Sequence, residues 1–277
     1  MDSNAKCKLR IDPVKRFERI SCFASRFALL ILIDMYGYRA RIGLIVPSSN
    51  TVCEPEMARL CPEGVATYST RVLFRPTLQG LQEMTDHVER ASLELSSEGI
   101  CQIIAFCCTV ASLMGGRVAE KEMIDRIEQR ANTPAITTGT AVKAAFDTLR
   151  VKKIAVATPY TGEINRSEKE GLEKQGYQVT KILGFHERMG PEELKNEMIG
   201  RLSPEIAYEM GQKVTGKENE AIFLSCTNFR TLEVIQKLED ETGKPVVSSN
   251  QATLWYALRR LGLQDRVKGC GRLLAQY

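Results

Sequence analysis

Two Cys-Thr pairs, Cys108-Thr109 and Cys226-Thr227, each follow a short apolar run. In both places the pattern puts the cysteine where a strand hands over to a helix. Unsatisfied N–H groups and the positive end of the dipole gather at a helix start. Both favour an anion there, so the reading predicts thiols biased toward thiolate, with carboxylates held beside them. Such a cysteine is suited to nucleophilic addition or proton transfer. Two polar residues stand in equivalent loops. Asn50, in Pro47-Ser48-Ser49-Asn50-Thr51, offers amide hydrogens to a carboxylate. Ser-Ser-Asn-Thr-x-x-Glu also reads as a helix cap. Tyr160, in Thr158-Pro159-Tyr160-Thr161, offers a phenolic hydrogen, or stands as a rim aromatic. His87 and His186 read as surface helix or loop residues outside this chemistry.

The elements that must position these groups alternate. Strand-like runs fall at 42–46, 100–106, 135–138, 153–157, 221–224 and 246–249, with amphipathic stretches such as 117–130 and 231–242 between them. Alternating β and α predicts an α/β fold of parallel sheets covered by helices. The chain says nearly the same thing twice. Val-Pro-Ser-Ser-Asn-Thr (46–51), Cys-Thr (108–109) and Pro-Ala-Ile-Thr-Thr-Gly-Thr-Ala (134–141) return in order as Thr-Pro-Tyr-Thr (158–161), Cys-Thr (226–227) and Pro-Val-Val-Ser-Ser-Asn-Gln-Ala (245–252). Pro47 lies 61 residues before Cys108, and Pro159 lies 67 before Cys226. This predicts two similar α/β lobes related by a pseudo-twofold duplication, with the functional cleft between them. Ligands of open α/β sheets bind beyond the carboxyl ends of the strands, where all these motifs fall. The expected division is an N-terminal extension over 1–35, disordered or not native; a first lobe over 36–150; a second over 151–250; and a helix and tail over 251–277 that return to the first lobe.

Composition narrows the class. The chain has 277 residues, 43% hydrophobic and 26% charged, as a globular protein does. The net charge is +4. Residues 1–40 hold eight Lys/Arg against four Asp/Glu, which leaves 30 of each for the rest. A balanced body gives no basic face for nucleic acid. The run at 27–33 is far below the roughly 20 residues that span a bilayer, so no membrane partner is expected. Nine cysteines, two histidines and no CxxC pair argue against zinc and against a secreted disulfide framework. The expectation is a cytoplasmic protein with reduced thiols, most of them small buried apolar groups.

At these residues the chain resembles the Asp/Glu racemase superfamily and, within it, the maleate cis-trans isomerases. The likeness runs over about residues 36–274. It rests on Pro47-Ser48-Ser49-Asn50-Thr51-Val52-x-Glu54-Pro55-Glu56, Cys108-Thr109-Val110-Ala111, Thr158-Pro159-Tyr160, Asn196-x-x-Ile199-Gly200-Arg201, Ser225-Cys226-Thr227-Asn228 and Gly269-x-Gly271-Arg272-Leu273-Leu274. Lys195 precedes Asn196 where the family often has Asp, a departure that weakens the assignment of Asn196. The resemblance implies a cofactor-independent, metal-free isomerase acting on maleate or a close cis-diacid through a succinyl-cysteine. Cys108 would be the nucleophile and Cys226 the partner acid/base. Asn50, Tyr160 and Asn196, with Thr109, Val110 and Thr227 beside the thiols, would bind a small dicarboxylate. A homodimer is also implied. Arylmalonate decarboxylases, a sister branch, lack the first cysteine. Two alternatives stay open at this stage: a two-thiol racemase or epimerase of amino or hydroxy acids, and a carboxylate-binding protein without catalysis.

Overall fold

The computed structural model describes residues 35–75, 77–185 and 196–277; the side chains of Asn196 and Glu197 lie outside that description. The expected extension over 1–35 therefore lies outside it up to residue 34, as does His186.

Among the described residues, eight strands form two four-stranded sheets of the same design. In the first, β1 (Ala40–Pro47), β2 (Val65–Val72), β3 (Ile103–Phe106) and β4 (Ala135–Thr137) stand in the order β2-β1-β3-β4. In the second, β5 (Lys153–Thr158), β6 (Gln178–Gly184), β7 (Ala221–Leu224) and β8 (Val246–Ser248) stand in the order β6-β5-β7-β8. Every pairing is parallel. Six of the eight strands coincide with the apolar runs of the sequence. The other two, β2 and β6, are the edge strands. Each is only partly buried and mixes polar with apolar residues, so neither carries a strong apolar signal.

Helices connect the strands. The first half holds α1 (Cys53–Leu60), α2 (Leu78–Thr85), α3 (Val88–Ser96), α4 (Thr109–Leu113), α5 (Gly116–Ala131) and α6 (Thr138–Leu149). The second holds α7 (Gly162–Lys174), α8 (Asn196–Ile199), α9 (Pro204–Val214), α10 (Ile235–Thr242), α11 (Ser249–Arg260) and α12 (Arg272–Gln276). Among the described residues no helix is long and apolar enough to cross a membrane.

The duplication reaches individual hydrogen bonds. Cys107 N–H donates to Ile45 O at 2.9 Å, as Ser225 N–H does to Ala157 O at 2.9 Å. Glu128 accepts Ala135 N–H at 2.9 Å, and Glu239 accepts Val246 N–H at 2.8 Å. Capping boxes start both α6 (Thr137 with Thr140) and α11 (Ser248 with Gln251). The second box explains why α11 begins at Ser249, two residues before the expected segment over 251–277.

The halves pack into one another. α6 lies against α11, and Thr253 Oγ1 donates to Thr138 Oγ1 at 3.1 Å. Phe146 of α6 meets Phe223 of β7 edge to face, with centroids 5.6 Å apart at 89°. Such a pair adds roughly 0.5–1.5 kcal/mol beyond its buried area. A single core cluster runs from Ile42 and Leu44 through these rings to Val156 and Val247. Gly171 brings α7 of the second half under α4 of the first: a Cβ there would lie 2.7 Å from Leu113 O.

Candidate active site

The loops following β1, β3, β5 and β7 converge at the carboxyl ends of the two sheets. They enclose a cavity lined by Asn50, Cys108, Val110, Tyr160, Cys226 and Thr227, all named from the sequence. Ser49, Phe74, Leu81, Ile164 and Asn228 complete it. Both thiols are nearly buried, Cys108 at 9% exposure and Cys226 at 7%.

Cys108 immediately precedes α4, as the strand-to-helix reading requires. Cys226 does not begin a helix. It opens a turn, and the helix expected from Thr231 starts only at Ile235. The cause is local. Thr231 and Leu232 give their N–H groups to Glu56 Oε1, at 2.8 and 3.0 Å, across the seam. Cys226 itself has φ of +142°, a backbone region that strongly favours glycine. Conformations of this kind persist only where surrounding bonds impose them, and they gather at functional sites. Here Cys226 N–H donates to Ser249 Oγ at 3.1 Å, and Thr227 Oγ1 donates to Cys107 O at 3.0 Å, fixing the turn on both sides.

The expected bias toward thiolate is overturned in this closed site. Burial pushes both thiols up to about 12. Donors oppose the shift without cancelling it. Cys108 takes the Ala111 N–H. Cys226 takes the Tyr160 hydroxyl and the Asn228 N–H, the latter at 3.3 Å. Burial also holds the Tyr160 hydroxyl well above its ordinary range, with Cys226 adding to the effect, so it stays a neutral donor. Each sulfur therefore has a hydrogen-bond partner ready for its anion.

Asn50 fills both roles that its sequence allowed. Its Oδ1 accepts the N–H groups of Val52 and Cys53 at 3.0 Å each, capping α1. Its Nδ2 donates to Thr227 Oγ1 at 2.9 Å, across the lobes. The second Nδ2 hydrogen remains for the cavity. Thr109 lies beside the site but its hydroxyl bonds Ser249 Oγ at 2.8 Å, in the seam rather than the cavity. Asn196 opens α8, and its side chain lies outside the described residues. His87 is exposed, away from the cavity. Asn228 closes the Ser225-Cys226-Thr227-Asn228 motif. It lines the cavity, and its Oδ1 accepts Thr51 N–H at 2.8 Å.

Two buried carboxyl groups escaped the sequence reading. Glu56 of α1 braces the turn after Cys226, taking Asn250 Nδ2 at 2.7 Å in addition to the two backbone donors. Glu168 of α7 accepts the hydroxyl of Ser225, next to Cys226. The available signal was the repeat itself: each glutamate stands nine residues after the proline that follows its first strand run, Pro47 or Pro159.

Known proteins are similar to this chain over most of its length. Residues 42–274 match the family model described as arylmalonate decarboxylase. The maleate isomerase of Geobacillus stearothermophilus is 30% identical over 250 residues, covering 85% of this chain and 97% of that protein. The arylmalonate decarboxylase of Bordetella bronchiseptica is 25% identical over 240 residues, covering 84% and 95%. The Nocardia farcinica maleate cis-trans isomerase has been solved as a cysteine-to-serine mutant with a covalently bound succinylcysteine intermediate. That structure matches with a TM-score of 0.79 at 26% identity, over 86% of this chain and 99% of its own. The chain belongs to the arylmalonate decarboxylase family, and within it is similar to the maleate cis-trans isomerases.

Proposed function

We propose that the chain isomerises maleate, or a close cis-diacid, to the trans isomer, with Cys108 as nucleophile and Cys226 as acid/base. The observation that carries this reading is the opening of both thiols, each with its own hydrogen-bond donors, into one cavity of a chain similar to an isomerase solved with succinylcysteine.

One negative charge passes between the two sulfurs. Cys108 loses its proton to solvent, and its thiolate adds to one alkene carbon, forming a C–S bond. The π pair moves to the neighbouring carbon and its carboxylate, which takes a proton from Cys226. The former double bond is now single and turns by half a revolution. Cys226 thiolate removes the proton again, the C–S bond breaks and the trans diacid leaves. Asn50, Tyr160 and the backbone N–H groups at the strand ends hold the carboxylates and the charge that builds on them. The chemistry of these residues calls on no cofactor. Asn196, Thr109, Val110 and Thr227 complete the proposed substrate-binding set, Thr109 by holding Ser249 under Cys226. The proposed organisation has a first lobe over 36–150, a second over 151–250 and a returning C-terminal segment.

The test is proton NMR of the protein with maleate in heavy water. Fumarate should form, and should fail to form with Cys108→Ala and with Cys226→Ala. Turnover within a few-fold of wild type in either variant removes the scheme. A second reading, decarboxylation of an arylmalonate, is favoured by the apolar wall of Phe74, Leu81, Val110 and Ile164. It predicts carbon dioxide release from phenylmalonate that survives Cys108→Ala.

A further inference from the structure

Glu56 and Glu168 occupy equivalent positions in the two halves, yet the structure treats them differently. The Glu56 carboxylate has three donors on its two oxygens. Glu168 is fully buried and has one partner, the Ser225 hydroxyl on Oε1, while Oε2 has no hydrogen-bond partner. A carboxylate with an unpartnered buried oxygen is costly, and a neutral carboxyl is far less so. Burial accordingly pushes Glu168 up to about 7, with Ser225 opposing. Its charge bears on Cys226, Cys108 and Tyr160, one group from each of three elements around the cavity, and raises all three. On the same helix Glu163, Arg166, Glu170 and Lys174 are exposed. Lys169 and Glu173 of the same helix pair with each other at 3.8 Å, and Lys181 of β6 is exposed and donates to Lys213 O. No cation among these compensates a Glu168 anion.

We propose that Glu168 is a positioning residue of this site that holds a proton beside Ser225, and so keeps an anion away from the neighbouring Cys226 when that thiol ionises. Deprotonation of Glu168 to solvent places a second anion under Cys226 through the Ser225 contact and suppresses its thiolate. This inference rests on the two thiols being the working groups proposed above.

The experiment reads the thiols and the carboxyl without requiring turnover. The full chain and its Glu168→Gln variant are alkylated with iodoacetamide across a pH series, and modification at Cys108 and Cys226 is quantified by peptide mass spectrometry. Above neutrality the Gln variant should alkylate at Cys226 about tenfold faster, the change that follows from lowering a thiol by about one pH unit. Superimposed curves overturn the proposal. Infrared difference spectra over the same pH range supply a second readout. A protonated carboxyl band should disappear as pH rises through neutrality in wild type and be missing in Glu168→Gln. In Ser225→Ala, which leaves the carboxyl in place without its donor, the band should persist to higher pH. A band unchanged in Glu168→Gln overturns the proposal. A chain that isomerises nothing but shows the shifted alkylation curve retains this inference and loses the proposed function. One that isomerises with superimposed curves does the reverse.

Discussion

Replacing Glu56 by glutamine changes one atom and should loosen the seam beneath the site. The carboxylate lies between the halves at 4% exposure, with Thr231 and Leu232 N–H on Oε1 and Asn250 Nδ2 on Oε2. A glutamine oxygen can keep the two backbone donors, but its amide nitrogen then faces the amide nitrogen of Asn250, donor against donor. Asn250 can relieve the clash only by turning its amide over, because its Oδ1 has no partner at present. That turn removes the 3.0 Å bond from Nδ2 to Thr227 O and sets oxygen against oxygen. One charge-assisted hydrogen bond and one buried pairing are lost either way, so Glu56→Gln should cost about 2–4 kcal/mol. Glu56→Ala leaves three buried donors unsatisfied and should cost at least as much. Urea unfolding followed by circular dichroism measures both, with stability read from the midpoint at constant slope. A Gln variant within about 0.5 kcal/mol of wild type would refute the account of Glu56 as an inter-lobe brace, since an exposed or spare carboxylate tolerates that change.

Two further outcomes follow from contacts in the structure. Gly171→Ala would gain up to about 1 kcal/mol from helix propensity in isolation. The new Cβ meets a backbone oxygen 2.7 Å away, however, so overpacking of about 1–3 kcal/mol should win. A variant at or above wild-type stability in the same urea assay contradicts the close approach of α7 to α4. Tyr160→Phe removes a donor that favours the Cys226 thiolate, so alkylation of Cys226 at mildly alkaline pH should slow by about tenfold or more, the worth of a hydrogen bond to a charged group. An unchanged rate would detach Tyr160 from that sulfur.

The residues that line the cavity were legible because the duplication printed them twice. Pro47, Cys108 and Pro134 have partners in Pro159, Cys226 and Pro245, and the same repeat led to two sheets of identical strand order. Strands buried on both faces, such as Ile103–Phe106 and Ala221–Leu224, announce themselves as apolar runs. The edge strands β2 and β6 do not, because half of their surface meets solvent. The acidity of the thiols was misjudged for a different reason. Position at a strand end is local and readable, whereas burial depends on how two distant halves close. The turn at Cys226 was hidden likewise, since Glu56 captures the N–H groups of Thr231 and Leu232 from 175 and 176 residues away. Glu168 stood in the repeat throughout, but a glutamate on an amphipathic helix reads as solvent-facing until its neighbours are known.

The Asn50–Thr227 bond and the Thr227–Cys107 bond cross between the halves at the floor of the cavity itself. A clamshell motion of the two halves would have to break both of these bonds. Phe74, Leu81 and Ile164 border the cavity with apolar side chains that have no hydrogen bonds there to break. On the function proposed above, a ligand would pass these apolar side chains with both crossing bonds intact.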